Sequence, residues 1–222
     1  MDKIRLLAFD VDGTLFSTEN IIAGTYQSAI RRFSESSGEN ILVPSKEAII
    51  NEIGKPVKTI FRNLLPDISE EERDIISRSV LHILCEKIEN GEGHYYEGIQ
   101  ETIEGLNQAG FIICAASNGR YPYIESVLKT AGVFSYFDSL VTLDYEKIHQ
   151  KGEILNVYKQ EYRLTSKEIL MIGDRASDRE AADFAETYFL YCEYGHANPG
   201  EVTRYDWKVD SLLGMLGLFG LR

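Results

Sequence analysis

Apolar residues in this chain are grouped in two ways. Short, largely apolar runs at 4–9 (apart from Arg5), 111–116, 140–143, 169–172 and 187–191 have the look of strands covered on both faces. Between them the apolar positions follow a helical period, as in Ile99, Ile103 and Leu106, then Ile124, Val127 and Leu128. Strands alternating with helices predict an α/β fold, a doubly wound parallel sheet with helices on both faces. The stretch from 16 to 94 breaks this rhythm. Segments 26–30, 47–50, 57–65 and 70–88 all carry helical patterns and no strand run interrupts them. The expected organisation is therefore a core of residues 1–15 and 95–222 interrupted by an all-helical insert, 16–94. That insert is roughly eighty residues, a small-domain size. Leu15-Phe16-Ser17 and Gly91-Glu92-Gly93 are its expected hinges. The apolar tail 211–221, with Gly214, Gly217 and Gly220, is expected to pack as a last helix or strand-side segment, or to seed a dimer if left exposed.

Charge narrows the partners. With 222 residues and a net charge of −12, the chain repels polyanions, so nucleic-acid polymers and anionic membranes are poor candidates. A small phosphate ester is less constrained, because one local cation and a few donors can hold it. Cys85, Cys114 and Cys192 are scattered and form no CxxC pair, which argues against disulfides and a cysteine zinc site. No apolar run approaches the ~18 residues of a membrane span, and the first residues lack a signal-peptide layout. The expectation is a cytoplasmic protein, monomeric or homodimeric.

Candidate chemistry falls in four places, each at or just beyond the end of a predicted strand, where open parallel sheets bind ligands. The first is Asp10-Val11-Asp12-Gly13-Thr14. Alternate residues of an extended chain share a side, so Asp10 and Asp12 can divide labour, one attacking and the other exchanging protons. The second is Ser117-Asn118-Gly119, whose hydroxyl and backbone N–H groups can hold a phosphate oxygen. Taken alone, the first is as easily a capped turn and the second a helix cap. The third is a lysine, Lys151 or Lys147, ahead of the helical stretch 153–162. The fourth is Gly173-Asp174-Arg175-Ala176-Ser177-Asp178, with carboxylates suited to a hard divalent cation.

The order of these four pieces resembles the haloacid dehalogenase-like (HAD) hydrolase superfamily, whose signature runs DxDGT, Ser/Thr, Lys, GDxxxD. The helical insert and the lead-in Tyr96-Glu97-Gly98-Ile99 are similar to the phosphoglycolate-phosphatase-like branch, with a Rossmann-like core and a helical cap. The resemblance implies that Asp10 is the nucleophile and Asp12 the acid and base. It implies Mg²⁺ held by Asp10, the Asp12 carbonyl and Asp174, with Ser117, Asn118 and the lysine on the phosphoryl oxygens. Asp178 would orient a metal-bound water or the lysine. Lys151 is favoured over Lys147 because it sits directly before the predicted helix.

In capped relatives the cap touches the leaving group. Lys55, Lys58 and Arg62, and Arg120 beside the second motif, are the candidates to meet a carboxylate or second phosphate; an ordinary solvated face is the plainer reading of the same charges. Arg175, where many relatives carry Ser, could add a cation near the substrate. The expected function is hydrolysis of a small-molecule phosphate monoester, with a small phosphorylated metabolite as partner. Pyrophosphatase, nucleotidase and phosphomutase are alternatives on the same core, and a phospho-ligand-binding regulatory module is the non-enzyme reading.

Overall fold

The computed structural model describes residues 3–143 and 148–221. Lys147 lies outside the described residues. The chain runs β1 (Leu6–Phe9), β2 (Phe16–Ser17), α1 (Ile22–Ser37), α2 (Lys46–Ile50), α3 (Val57–Leu64), α4 (Glu70–Glu89) and β3 (His94–Tyr95). It continues α5 (Ile99–Gln108), β4 (Ile112–Ser117), α6 (Tyr121–Thr130), β5 (Ser139–Thr142) and α7 (Lys151–Glu161). Then come β6 (Ile169–Gly173), α8 (Ala176–Ala185), β7 (Tyr188–Cys192), β8 (Trp207–Val209) and α9 (Gly214–Leu218).

Six strands form one parallel sheet in the order β5-β4-β1-β6-β7-β8. The central strand shows why these runs become strands. Leu7 and Phe9 enter the core on one face and Leu6 and Ala8 the core on the other, and all four are fully buried. A run apolar at every position is stable only where both faces are covered. Ile103, Ile124 and Val127 of α5 and α6 cover the first face, and Ile154, Leu155 and Ala182 of α7 and α8 cover the second. The chain leaves β1 toward β4 and β5 on one side and returns through β6, β7 and β8 on the other. The carboxyl ends of β1, β4 and β6 therefore meet at a topological switch point, where such sheets bind ligands.

Helices α1–α4 form the cap. Its longest helix, α4, begins with a capping box: Glu72 N donates to Ser69 Oγ at 3.2 Å, and Ser69 N donates to Glu72 Oε2 at 2.7 Å. That helix packs on α1 within the cap and on α6 in the core.

Three features depart from the sequence expectation. The insert carries short strand at its neck, because Phe16–Ser17 pairs antiparallel with His94–Tyr95. A two-residue pair is too short to show alternation. The sheet also gains β8, an edge strand whose three residues, Trp207-Lys208-Val209, give no apolar run. Helix α7 starts at Lys151 itself, two residues earlier than the apolar period suggested.

Candidate active site

Asp10 follows β1 directly and points into a buried cluster. Its Oδ1 lies 2.9 Å from Lys151 Nζ, and the same ammonium donates to Asp178 Oδ1 at 2.6 Å. The N-terminal position on α7 thus aims Lys151 back at the end of β1. Both partners of the lysine are buried, as is the lysine itself. Asp178 is fixed from its other oxygen by Arg175 N at 2.9 Å, the turn that opens α8.

Asp174, just past β6, is wholly buried. Its Oδ2 accepts from His196 N at 2.6 Å and its Oδ1 from the Thr14 hydroxyl at 3.4 Å. Two glycines make room for it. Gly13 has φ +80°, and a Cβ there would stand 2.2 Å from Asp174 Oδ2. A Cβ on Gly195 would stand 2.2 Å from the Cβ of Asp174 and 2.4 Å from Gly13 O. A larger residue at either position would force Asp174 or its neighbours to shift.

Asp10, Asp174 and Asp178 can bring one carboxylate oxygen each within 4.8 Å of one another. Among the described residues three buried carboxylates face one lysine, an excess of negative charge. Burial pushes the Asp10 carboxyl up to about 7, against the pull of Lys151, with Asp178 and Asp12 adding to the rise. Asp174 is raised well above the ordinary carboxylate range by burial first, then by Asp178 and Asp10. Burial would lower Lys151, but Asp10 and Asp178 outweigh it and hold the ammonium above its ordinary value. An all-oxygen donor set with unbalanced negative charge is the chemistry a hard divalent cation fits.

Asp12 is turned elsewhere. Its Oδ1 accepts from Tyr123 OH at 2.6 Å and from the Thr18 hydroxyl at 3.4 Å. Burial raises its carboxyl above the ordinary value, opposed first by the Tyr123 bond. Asp10 and Asp12 thus sit two residues apart with separate partners. Ser117 closes β4, and its Oγ accepts from Gly119 N at 3.1 Å. The Asn118 side chain donates to Gly54 O at 2.8 Å, tying the core to the cap.

A cavity of about 750 Å³, counting its open mouth, rises from Asp10, Asp12, Ser117 and Asn118 into the cap. Lys55 and Arg120 line it. Lys55 is bonded to Glu52 at 2.7 Å, and Arg120 Nη1 lies 3.4 Å from Ser77 Oγ on α4. The structure does not bring Lys58 or Arg62 to this cavity. Lys58 is exposed, and Arg62 forms a two-pronged contact with Glu70, at 2.7 and 3.4 Å, on the outer side of α3. Arg175 is drawn to Glu201 at 2.7 Å instead of the cavity.

Sequence reasoning missed Tyr123, Gly195 and His196. Tyr123 sits on the buried face of α6 one residue before Ile124, so the helical period flags it as core and says nothing of its hydroxyl. His196 acts through its backbone N–H, while its ring meets Ser17 Oγ at 3.0 Å. No residue type announces a backbone donor.

A family model described as haloacid dehalogenase-like hydrolase matches residues 7–191. The chain is 25% identical over 223 residues to a phosphoglycolate phosphatase of Vibrio parahaemolyticus, covering 96% of this chain and 95% of that one. It is 27% identical over 226 residues to the pyrophosphatase PpaX of Listeria welshimeri, covering 97% and 96%. In three dimensions it resembles the crystal structure of a predicted phosphoglycolate phosphatase from Haemophilus somnus 129pt. The TM-score is 0.85 at 21% identity, over 99% of both chains. Among the described residues no helix is long and apolar enough to cross a membrane.

Proposed function

The chain belongs to the haloacid dehalogenase-like hydrolase family, and from that premise we propose that it hydrolyses a small-molecule phosphate monoester through an aspartyl-phosphate on Asp10. The observation that carries this reading is the sorting of two neighbouring carboxylates. Asp10 belongs to the Lys151–Asp178 cluster and Asp12 to Tyr123 and Thr18. Two acids with separate partners suit a nucleophile beside a proton carrier.

An Asp10 oxygen attacks phosphorus and the ester P–O bond breaks. Asp12, whose carboxyl burial raises above its ordinary value, gives its proton to the departing alkoxide. Water then attacks the aspartyl-phosphate while Asp12 takes a proton from it, which frees Asp10 and inorganic phosphate. The Ser117 hydroxyl, the Asn118 backbone N–H and Lys151 would hold the transferring oxygens. Asp10, Asp174 and the Asp12 carbonyl would hold Mg²⁺, with Asp178 fixing Lys151. When bound, the cation supplies charge neutralisation between nucleophile and phosphate. This reading takes residues 16–94 as the cap and 1–15 with 95–222 as the core. It has the enzyme working on a soluble metabolite in the cytoplasm, as a monomer or homodimer, and the three cysteines as free thiols fit that compartment.

The test is phosphate release with Mg²⁺ from phosphoglycolate, pyrophosphate, nucleoside monophosphates, sugar phosphates and acetyl phosphate. Asp10→Asn should fall by at least a thousandfold on every substrate the native protein turns over. Turnover that survives Asp10→Asn in a folded protein would refute the assignment.

A further inference from the structure

The cavity above Asp10 and Asp12 is walled by apolar side chains of the cap. Helix α1 supplies Ile22 and Tyr26, α2 and the turn after it Ile49 and Ile53, and α3 Ile60 and Phe61. The apolar face of α4 closes the wall through Val80 and Leu84. Tyr26 and Phe61 stack almost flat, with centroids 5.1 Å apart and planes at 18°. The result is a mostly apolar wall in the same cavity as the proposed nucleophile, its side chains each no more than 9% exposed.

The charged side chains that line the cavity are Asp10, Asp12, Lys55 and Arg120. Its floor carries Asp10 and Asp12, Lys55 is bonded to Glu52, and Arg120 reaches to Ser77. Lys58 and Arg62 lie outside. A short acidic leaving group, such as a glycolate carboxylate, or the second phosphate of pyrophosphate, would have to draw Lys55 from Glu52 or Arg120 from Ser77, or be desolvated against the apolar wall. An apolar leaving group loses nothing there and gains from burial.

We propose that the substrate is a phosphate monoester whose leaving alcohol carries a contiguous alkyl or aryl body, on the order of six carbons, seated against the Tyr26–Phe61 wall. The inference rests on the phosphatase reading above and names the substrate class of that same site. Ile53 and Ile60 are its specificity-determining residues, because they line the wall from two different cap segments.

The test is a series of n-alkyl phosphates from ethyl to octyl with Mg²⁺, read as kcat/KM for phosphate release beside phosphoglycolate and acetyl phosphate. The leaving alcohols of the series are chemically alike, so only burial changes. The expected result is a rise of about fourfold per methylene until the cavity is full, with hexyl phosphate above phosphoglycolate. Ile60→Ala and Ile53→Asn should each flatten that slope. A flat series, or phosphoglycolate above hexyl phosphate, overturns the proposal even if both variants fail to fold. Acetyl phosphate separates the two levels, since it is activated and has no apolar body. Asp10-dependent turnover of acetyl phosphate with a flat series leaves the phosphatase standing and removes the substrate class. No turnover of acetyl phosphate or of any alkyl phosphate removes both.

Discussion

Tyr123→Phe deletes one oxygen from the site and leaves a buried ring in place. The lost bond is the 2.6 Å donation to Asp12 Oδ1, and what remains on that oxygen is Thr18 at 3.4 Å, beyond the usual range for a hydroxyl donor. A hydrogen bond to a charged acceptor contributes about 1.5–3 kcal/mol, and every 1.4 kcal/mol is a factor of ten. The bond favours the carboxylate, the form of Asp12 that exists once its proton has gone to the leaving group. Without it Asp12 is a weaker acid, and expelling a poor leaving group becomes harder. We expect kcat/KM for an alkyl phosphate to fall about tenfold to a hundredfold. Acetyl phosphate, whose leaving group needs little protonation, should lose less than about threefold in the same constant. The pH profile has a defined sign. Removing a bond that stabilises the anion raises the Asp12 pKa further, so the protonated acid persists to higher pH. The alkaline limb of kcat/KM should therefore move upward. The assay is phosphate release across pH 5–9 for both substrates, with melting temperature as the fold control. Equal losses on the two substrates, or an alkaline limb that stays put or moves down, would refute the role given to Tyr123 and Asp12.

Other expectations follow from the same geometry. In the metal-free chain Asp10 is raised from its ordinary 3.8 to about 7, with Asp174 shifted the same way, so the folded state holds protons that the unfolded state releases. Their contribution to stability is present below pH 4 and is lost as pH rises toward about 7. Mg²⁺ at a hundred times its Kd should add about 2.7 kcal/mol, or roughly 5–10 °C in Tm for a chain of this size. The gain should be larger at pH 8 than at pH 5, and a Tm indifferent to Mg²⁺ at pH 8 would sink the cation site. Gly195→Ala forces a Cβ against Asp174 and Gly13 O. It should cost about 1–3 kcal/mol of stability and raise the Mg²⁺ concentration for half-maximal activity more than tenfold. Unchanged metal dependence would show that the His196 N–H is not holding Asp174 in place.

That Asp10, Lys151, Asp174 and Asp178 come together was legible because such a cluster needs particular residue types at fixed positions. Asp10 must leave the end of β1, Gly13 must adopt φ +80° beneath Asp174, and Lys151 must begin a helix aimed at Asp10 and Asp178. Each demand leaves a letter in the sequence. The supports of those residues were not legible, for two physical reasons. Asp174 is held by the backbone of His196, and any residue offers an N–H. Tyr123 sits where the helical period calls for an apolar side chain, so its ring satisfies the pattern and its hydroxyl goes unseen. The β8 strand was hidden in another way: an edge strand needs to bury only one side, and Lys208 breaks the run.

The cap exposes a deeper limit, and it bears on what the enzyme acts upon. The period in α3 separates Ile60 and Phe61 from Lys58 and Arg62, and reading it for function invites attention to the cations. The structure puts those cations on the outside, where Arg62 pairs with Glu70 on the next helix. Periodicity reports which face of a helix leaves water but not whether that face meets another helix or an empty space. In α3 the face does both: Phe61 stacks on Tyr26, and with Ile60 it borders the cavity over Asp10. A substrate with an apolar body would complete that packing, as a side chain completes a core. Under the proposed mechanism the same aspartates can serve many esters, because they act on the phosphoryl group and the leaving oxygen alone. The surface that residues 16–94 present to the cavity is mostly apolar, with Lys55 and Ser77 as its polar members beside Thr18. Identity of about a quarter to a phosphoglycolate phosphatase and to a pyrophosphatase therefore speaks for the shared chemistry, while the choice of alcohol is written in Ile53, Ile60 and the Tyr26–Phe61 wall.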